Sequence, residues 1–162
     1  PRLAQLNTDE AKRKELTPLI TRWVLLATLI TALILAALAH WLIIWIFGPE
    51  YAGALVPFWL LLPGIVLGAA SRMLANDIAA RGRPELNMYT SIVVVIVNVG
   101  GNVILLPPYG LVGAATATTL AYTLNLVLRL WVYGSFTKNP WADSLFVRVS
   151  DVVRIRSVLR GK

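Results

Sequence analysis

The chain has 162 residues, of which 57% are hydrophobic and 14% are charged, and its net charge is +7. Soluble domains carry charge on about a quarter of their residues, so this composition excludes an ordinary soluble domain. The sequence has no cysteine, which excludes disulfides and thiolate metal sites. Its basic residues lie between and beyond long apolar runs, where anionic lipid head groups would meet them, and we therefore expect no nucleic-acid partner.

The first apolar run extends from Trp23 to Phe47, and His40 is its one titratable side chain. A helix of about 25 residues is about 37 Å long, which is enough to cross a hydrocarbon core of about 30 Å. Thr17-Pro18 predicts the start of this helix and Gly48-Pro49 predicts its end. His40 has no second histidine or cysteine for a metal site, so a neutral imidazole near the membrane surface is the simpler interpretation.

Similar runs predict three further membrane spans. The second contains Pro57 and Pro63, which predict kinks or a break. The third ends at Pro107-Pro108-Tyr109-Gly110. We therefore predict an all-α, polytopic membrane bundle, in which a membrane region at 20–136 follows a cytoplasmic connector at 1–19 and precedes a basic tail at 137–162. Its four transmembrane helices are expected at about 20–47, 51–80, 86–106 and 111–133.

The distribution of lysine and arginine predicts the orientation of these spans. The loop between the second and third spans holds Arg81 and Arg83, and both tails are basic, whereas the other two loops hold neither residue type. The positive-inside rule therefore places the middle loop and both termini in the cytoplasm. The tail after Pro140 is either an amphipathic helix on the inner leaflet or a basic tail that only enforces topology. An aromatic belt at the span ends is predicted for Trp23, Trp41, Trp45, Trp131 and Tyr133.

A stripe of small and polar residues recurs on the second span. Gly64, Gly68, Arg72 and Asn76 lie four residues apart, and Asp77 follows directly. In a functional interpretation this stripe is the wall of an anion-binding cavity in which Arg72 meets a phosphate. In a structural interpretation Arg72 reaches the membrane interface or pairs with Asp77.

Two polar pairs lie on the later spans. Asn98 and Asn102 lie four residues apart on the third span, and Asn125 and Arg129 lie four apart on the fourth. Such side chains either join helices by hydrogen bonds or line a polar path. We predict no catalytic constellation, metal site or cofactor. The candidate substrate path comprises Arg72, Asn76, Asp77, Asn98, Asn102, Asn125 and Arg129.

Three segments match a known family of transporters. Leu105–Leu130 contains the most characteristic turn, and Phe47–Ala54 and Leu61–Asn87 are similar as well, the last of them with its Gly82-Arg83-Pro84 turn. Together they resemble the late part of bacterial polysaccharide-biosynthesis flippases, the O-antigen and exopolysaccharide transporters of the multidrug/oligosaccharidyl-lipid/polysaccharide flippase superfamily. The residues that match in the turn are Pro108, Tyr109, Gly110, Gly113, Ala114 and Ala115.

The resemblance implies that the chain is the C-terminal part of a larger, two-lobed transporter in the bacterial cytoplasmic (inner) membrane, and not an enzyme. Such a transporter flips an undecaprenyl-pyrophosphate-linked oligosaccharide by alternating access, for polysaccharide export. Its partners would be the lipid bilayer, the lipid-linked oligosaccharide and the remaining helices. The alternatives are a multidrug or cation antiporter of the same superfamily, or a membrane-embedded glycosyltransferase, polymerase or scaffold of a polysaccharide pathway.

Overall fold

Every described element of the chain is a helix. The computed structural model describes the backbone of residues 2–137 and the side chains of residues 17–135, so all but the first residue of the predicted tail lies outside the described residues. Within this described part, three helices are long and apolar enough to cross a membrane, which indicates a multi-pass membrane protein, and the all-α class is confirmed there. The elements in chain order are α1 (Arg2–Phe47), a 3₁₀ helix (Pro49–Ala54), α2 (Leu55–Ala80) and α3 (Pro84–Thr137).

The first helix, α1, begins earlier than the sequence predicts. It is helical from Arg2, so the start predicted at Thr17-Pro18 is wrong, and Pro18 lies inside the helix. Residues 2–16 are rich in Ala, Leu, Lys, Arg and Glu, whose high helix propensity favours extension past a single proline. The apolar part of α1 is Thr17–Phe47, and the helix ends where Gly48 adopts a φ of 104°.

The second helix, α2, contains both prolines of the second predicted span. Pro57 lies in its first turn, where backbone N–H groups have no partner within the helix. Pro63 lies in the interior, close to Leu60, whose carbonyl accepts a 2.5 Å hydrogen bond from the hydroxyl of Thr119. Pro63 removes the helical N–H donor to the carbonyl of Trp59, one turn earlier, and membrane helices tolerate such a loss. Helix α2 is continuous from Leu55 to Ala80, so the predicted break is absent from it.

The third helix, α3, folds back on itself at Gly110. This residue has a non-helical φ of 57° and ψ of −139°, and it divides α3 into a first arm (residues 84–109) and a second arm (residues 111–137). A Cβ built on Gly101 would lie 3.0 Å from the Cβ of Ala117. These residues would be about 24 Å apart along one straight helix, so the two arms are antiparallel neighbours.

The predicted count of four helices is not matched, because the described residues form three long helices. The last two predicted spans are the arms of α3. Helical residues border Gly110 on both sides, so no loop separates the arms. A break confined to one residue therefore replaces the turn of several residues that the sequence predicts.

Helix α2 packs between α1 and α3. A small cluster of Ala32, Leu62 and Val66 joins α1 to α2. A larger cluster lies near the end of the bundle formed by residues 77–85, which we call the charged end. Tyr133 is fully buried in this larger cluster, so it is not exposed to lipid as the predicted aromatic belt requires. The larger cluster consists of Ala70, Leu74, Ile78, Leu126, Leu130 and Tyr133.

Candidate functional site

Arg129 of the second arm is buried among neutral hydrogen-bond partners. Its Nε donates a 2.8 Å hydrogen bond to Oδ1 of Asn125, one turn away. On the first arm, its Nη1 donates to Oδ1 of Asn87 at 2.9 Å and its Nη2 donates to Oγ of Ser91 at 3.3 Å. Only 8% of Arg129 is exposed. Because none of these three partners is a carboxylate, the positive charge of the guanidinium is not compensated here.

Asn87 connects Arg129 to α2. Its Oδ1 accepts from Arg129, while its Nδ2 donates a 2.8 Å hydrogen bond to the backbone carbonyl of Ala75. One amide therefore joins both arms of α3 to α2. Hydrogen bonds between membrane helices contribute about 0.6 kcal/mol each, so this bridge contributes more to the relative position of the three segments than to their stability.

Asp77 is paired with Arg81 and not with Arg72. The Nε of Arg81 lies 2.7 Å from Oδ2 of Asp77, and each of these two side chains is only 6% exposed. Residues four apart are neighbours on a helix, whereas Arg72 precedes Asp77 by five and points to another side. One structural interpretation of Arg72, a pair with Asp77, is therefore wrong.

Arg72 and Asn76 lie on an exposed face of α2, although they continue the stripe that begins at Gly64. A Cβ on Gly64 would lie 3.0 Å from Cα of Thr119, so this part of the stripe is packed against the second arm. A helix turns by about 100° per residue, so Arg72 lies about 80° around α2 from Gly64. The stripe therefore changes from a helix contact to an open surface as it approaches the charged end. Among the described residues, Arg72 has no hydrogen-bond or ion-pair partner.

Asn98 and Asn102 form a separate polar pair farther along the first arm. The Nδ2 of Asn102 donates to the backbone carbonyl of Asn98 at 2.8 Å and to its Oδ1 at 3.1 Å. The pair is partly exposed and lines a shallow pocket of about 370 Å³ together with the apolar side chains of Val103 and Leu106. These asparagines therefore bond within one helix, whereas Asn125 and Arg129 belong to a cluster that joins helices.

Asn87 and Ser91 are part of this cluster but were not among the predicted site residues. The sequence does contain a signal for them, because residues equally far from the turn of a helical hairpin face each other, as Gly101 and Ala117 do. Arg129 is about twenty residues beyond that turn, so it faces a point between Asn87 and Ser91, which lie on one side of the first arm. The pairing of the two arms therefore predicts both residues as neighbours of Arg129.

Comparison with known proteins finds a partial match. No family model matches the chain, and no solved structure matches it. A stretch of 91 residues, which is 56% of this chain, is 31% identical to the probable low-salt glycan biosynthesis flippase Agl15 of Haloferax volcanii. The chain is similar to part of a flippase. The matched stretch covers only 19% of the length of that protein, and the match supports a flippase-like family without distinguishing the O-antigen flippases within it.

Proposed function

We propose that this chain is the late-helix part of a membrane transporter that moves a lipid-linked glycan from one leaflet to the other. The observation that carries the proposal is the 31% identity over 91 residues to a glycan biosynthesis flippase. The three long apolar helices support it, because a flippase must be embedded in the bilayer. The proposed protein is a transporter and not an enzyme, and its substrate is an oligosaccharide on a lipid carrier.

The chemistry of the helices suits this task. A glycan head group cannot cross hydrocarbon unaided, because each polar group without a partner costs several kcal/mol there. A transporter needs a polar surface that opens to one side of the membrane at a time, which is the alternating-access mechanism we propose. The exposed Arg72 and Asn76 and the partly exposed Asn98–Asn102 pair offer polar surface on helices that are otherwise apolar.

We further propose that each arm of α3 is a separate span, so that the chain crosses the membrane four times. The charged end would then face the cytoplasm, as the positive-inside rule requires. This chain has no cysteine of its own, so single cysteines placed in it report topology in a full-length transporter from which any other cysteine has been removed. We expect Arg83→Cys to react with a membrane-impermeant maleimide only after cell lysis, and Gly53→Cys to react in intact cells. Reaction of both variants in intact cells would contradict the orientation.

The function is tested with the full-length transporter that contains this chain. Cells that lack it should lose surface glycan and accumulate lipid-linked glycan in the inner leaflet. Purified transporter in vesicles should transfer a labelled lipid-linked glycan between leaflets faster than protein-free vesicles do. Transfer no faster than in protein-free vesicles, by protein that remains folded, would reject the proposed function.

A further inference from the structure

Arg72 and Arg129 lie at a similar depth in the bundle. The hydrogen bond from Asn87 to the carbonyl of Ala75 places Asn87 and Ala75 level with each other on neighbouring helices. Arg72 is three residues from Ala75, about 4.5 Å farther from the charged end. The guanidinium of Arg129 bonds to both Asn87 and Ser91, which lie one turn apart, and so occupies the same range of depth.

Neither arginine is neutralised by a carboxylate of the described residues. Asp77 is a buried acidic side chain on α2, and it is already paired with Arg81, whose Nε lies 2.7 Å from Oδ2 of Asp77. Arg72 is exposed, and Arg129 has three neutral partners. Charges taken out of water are normally paired, so the buried guanidinium of Arg129 favours an anionic ligand, and the unpaired charge of Arg72 at the same level favours the same anion.

An anion can reach Arg129 from the side of Ser91. Ser91 is exposed, and its bond to Nη2 of Arg129 is the longest of the three at 3.3 Å. A guanidinium forms shorter and stronger hydrogen bonds with an anionic oxygen than with a neutral hydroxyl. An anionic oxygen would therefore replace the Oγ of Ser91 while the bonds to Asn87 and Asn125 persist.

The depth of the two arginines indicates which anion is available. Arg72 lies eight residues before Ala80, where α2 ends, which is about 12 Å along the helix. For a helix that ends at the membrane surface this depth is just inside the hydrocarbon, and an arginine there extends its side chain toward the head groups, where lipid phosphates lie. Basic pockets between membrane helices on the cytoplasmic side are known to bind phosphorylated lipid head groups.

We propose that Arg72 and Arg129 together bind the phosphate group of a lipid at the charged end, and that an anionic oxygen replaces the hydroxyl of Ser91 on Arg129. The phosphate belongs either to the lipid carrier of the transported glycan or to a membrane phospholipid. The inference deepens the proposed function and rests on it for its biological meaning, whereas the binding itself is measured separately.

The test measures lipid binding by native mass spectrometry of the purified full-length transporter. The probes are a polyprenyl phosphate, the polyprenol of the same chain length and phosphatidylglycerol. We expect Arg72→Gln and Arg129→Lys each to weaken binding of the polyprenyl phosphate about tenfold, the loss typical of one charge-assisted hydrogen bond. Arg83→Gln is the matched control, because this exposed arginine lies beyond the site and forms an ion pair with Glu85 at 3.9 Å.

Further outcomes separate a binding site from a structural cluster. Ser91→Ala should retain or improve phosphate binding, because the anion replaces this hydroxyl, whereas a purely structural role predicts weaker binding. Equal binding of polyprenol and polyprenyl phosphate would overturn the proposal, and so would unchanged binding of the phosphate in Arg72→Gln. Because Arg72 is exposed, misfolding is not a suitable explanation for a loss of binding in this variant. Competition by phosphatidylglycerol would assign the site to bulk phospholipid, and selectivity for the polyprenyl phosphate would assign it to the carrier.

The binding experiment tests the phosphate site and the transfer experiment tests the proposed function, so either can be rejected without the other. If these variants bind lipid normally and the wild-type protein transfers glycan, the phosphate site is rejected and the proposed function stands. If phosphate binding depends on both arginines in a protein that transfers no glycan, the site stands and the proposed function is rejected.

Discussion

The fold-back of α3 can be tested with a pair of cysteines placed at Gly101 and Ala117. As one straight helix, the 54 residues of α3 would be about 81 Å long, far more than a bilayer core of about 30 Å can hold. In the hairpin the two Cβ positions are 3.0 Å apart, close to the separation of about 3.5–4.5 Å in a disulfide. The variant Gly101→Cys/Ala117→Cys should therefore form an intramolecular disulfide under mild oxidation.

The magnitude of the expected stabilisation follows from the loop that this disulfide closes. A loop of about 15 residues corresponds to about 3 kcal/mol in the chain-entropy model, less the strain of moving the arms apart by a few tenths of an ångström. The assay counts free thiols by maleimide labelling after oxidation and compares the thermal midpoints of oxidised and reduced protein. We expect two thiols to disappear and the midpoint to rise.

A matched control uses the same sequence separation within one arm. Thr116→Cys/Val132→Cys also places cysteines sixteen residues apart, but both lie on the second arm and should stay about 24 Å apart. This pair should keep both thiols. If the control pair oxidises as fast as the pair at Gly101 and Ala117, or if the latter remains reduced, the antiparallel arrangement of the arms is wrong.

Two further predictions concern the contacts of α2. Gly64→Ala should destabilise the protein by about 1–3 kcal/mol, because its new Cβ would lie 3.0 Å from Cα of Thr119, whereas Gly68→Ala should be nearly neutral because its nearest neighbouring atom is 3.7 Å away. Similar thermal midpoints for the two alanine variants would contradict the close approach at Gly64. Trp59→Phe removes a 3.0 Å hydrogen bond from Nε1 to the carbonyl of Ala36, so we expect a loss of about 1 kcal/mol or less, and an unchanged midpoint would show that this bond contributes nothing.

The ends of the apolar helices could be predicted because glycine marks them. Gly48, Gly82 and Gly110 all have positive φ values, of 104°, 76° and 57°. Only glycine adopts these angles at little cost, and each of the three lies at a boundary that hydropathy also predicts. Composition and turn chemistry therefore agree on where the chain reverses. They do not predict that the reversal at Gly110 occurs without a loop between the two arms of α3.

The start of α1 and the partner of Asp77 were predicted less well, for different reasons. A polar segment before an apolar run looks like a connector, but the residues of 2–16 favour helix and continue through Pro18. Which arginine pairs with Asp77 depends on the angular position of each residue around the helix axis, and not only on the number of residues between them. Arg81 is closer in space than Arg72 because a spacing of four returns almost to the same side of a helix.

The buried polar cluster could not be found from α3 alone, since its hydrogen bonds join residues about forty positions apart. A pattern search within one span finds Asn125 and Arg129 as a pair and leaves the role of the arginine open. The pairing of the arms supplies Asn87 and Ser91, and the contact with α2 then supplies the carbonyl of Ala75. Asn87 and Ser91 can be identified only once the two arms are paired, and Ala75 only once α2 is placed against them.

The same connectivity links the proposed phosphate site to helix movement. Arg129 is held by groups of both arms, and Asn87 holds α2 at the same point, so a change in the angle between these segments would alter the partners of the guanidinium. A ligand shifts a conformational equilibrium only through its differential affinity for the two states. A lipid phosphate that replaces Ser91 would weaken one link between the arms while leaving the link through Asn87. We therefore expect bound phosphate to favour arrangements in which the arms separate near Ser91 and remain joined at the charged end.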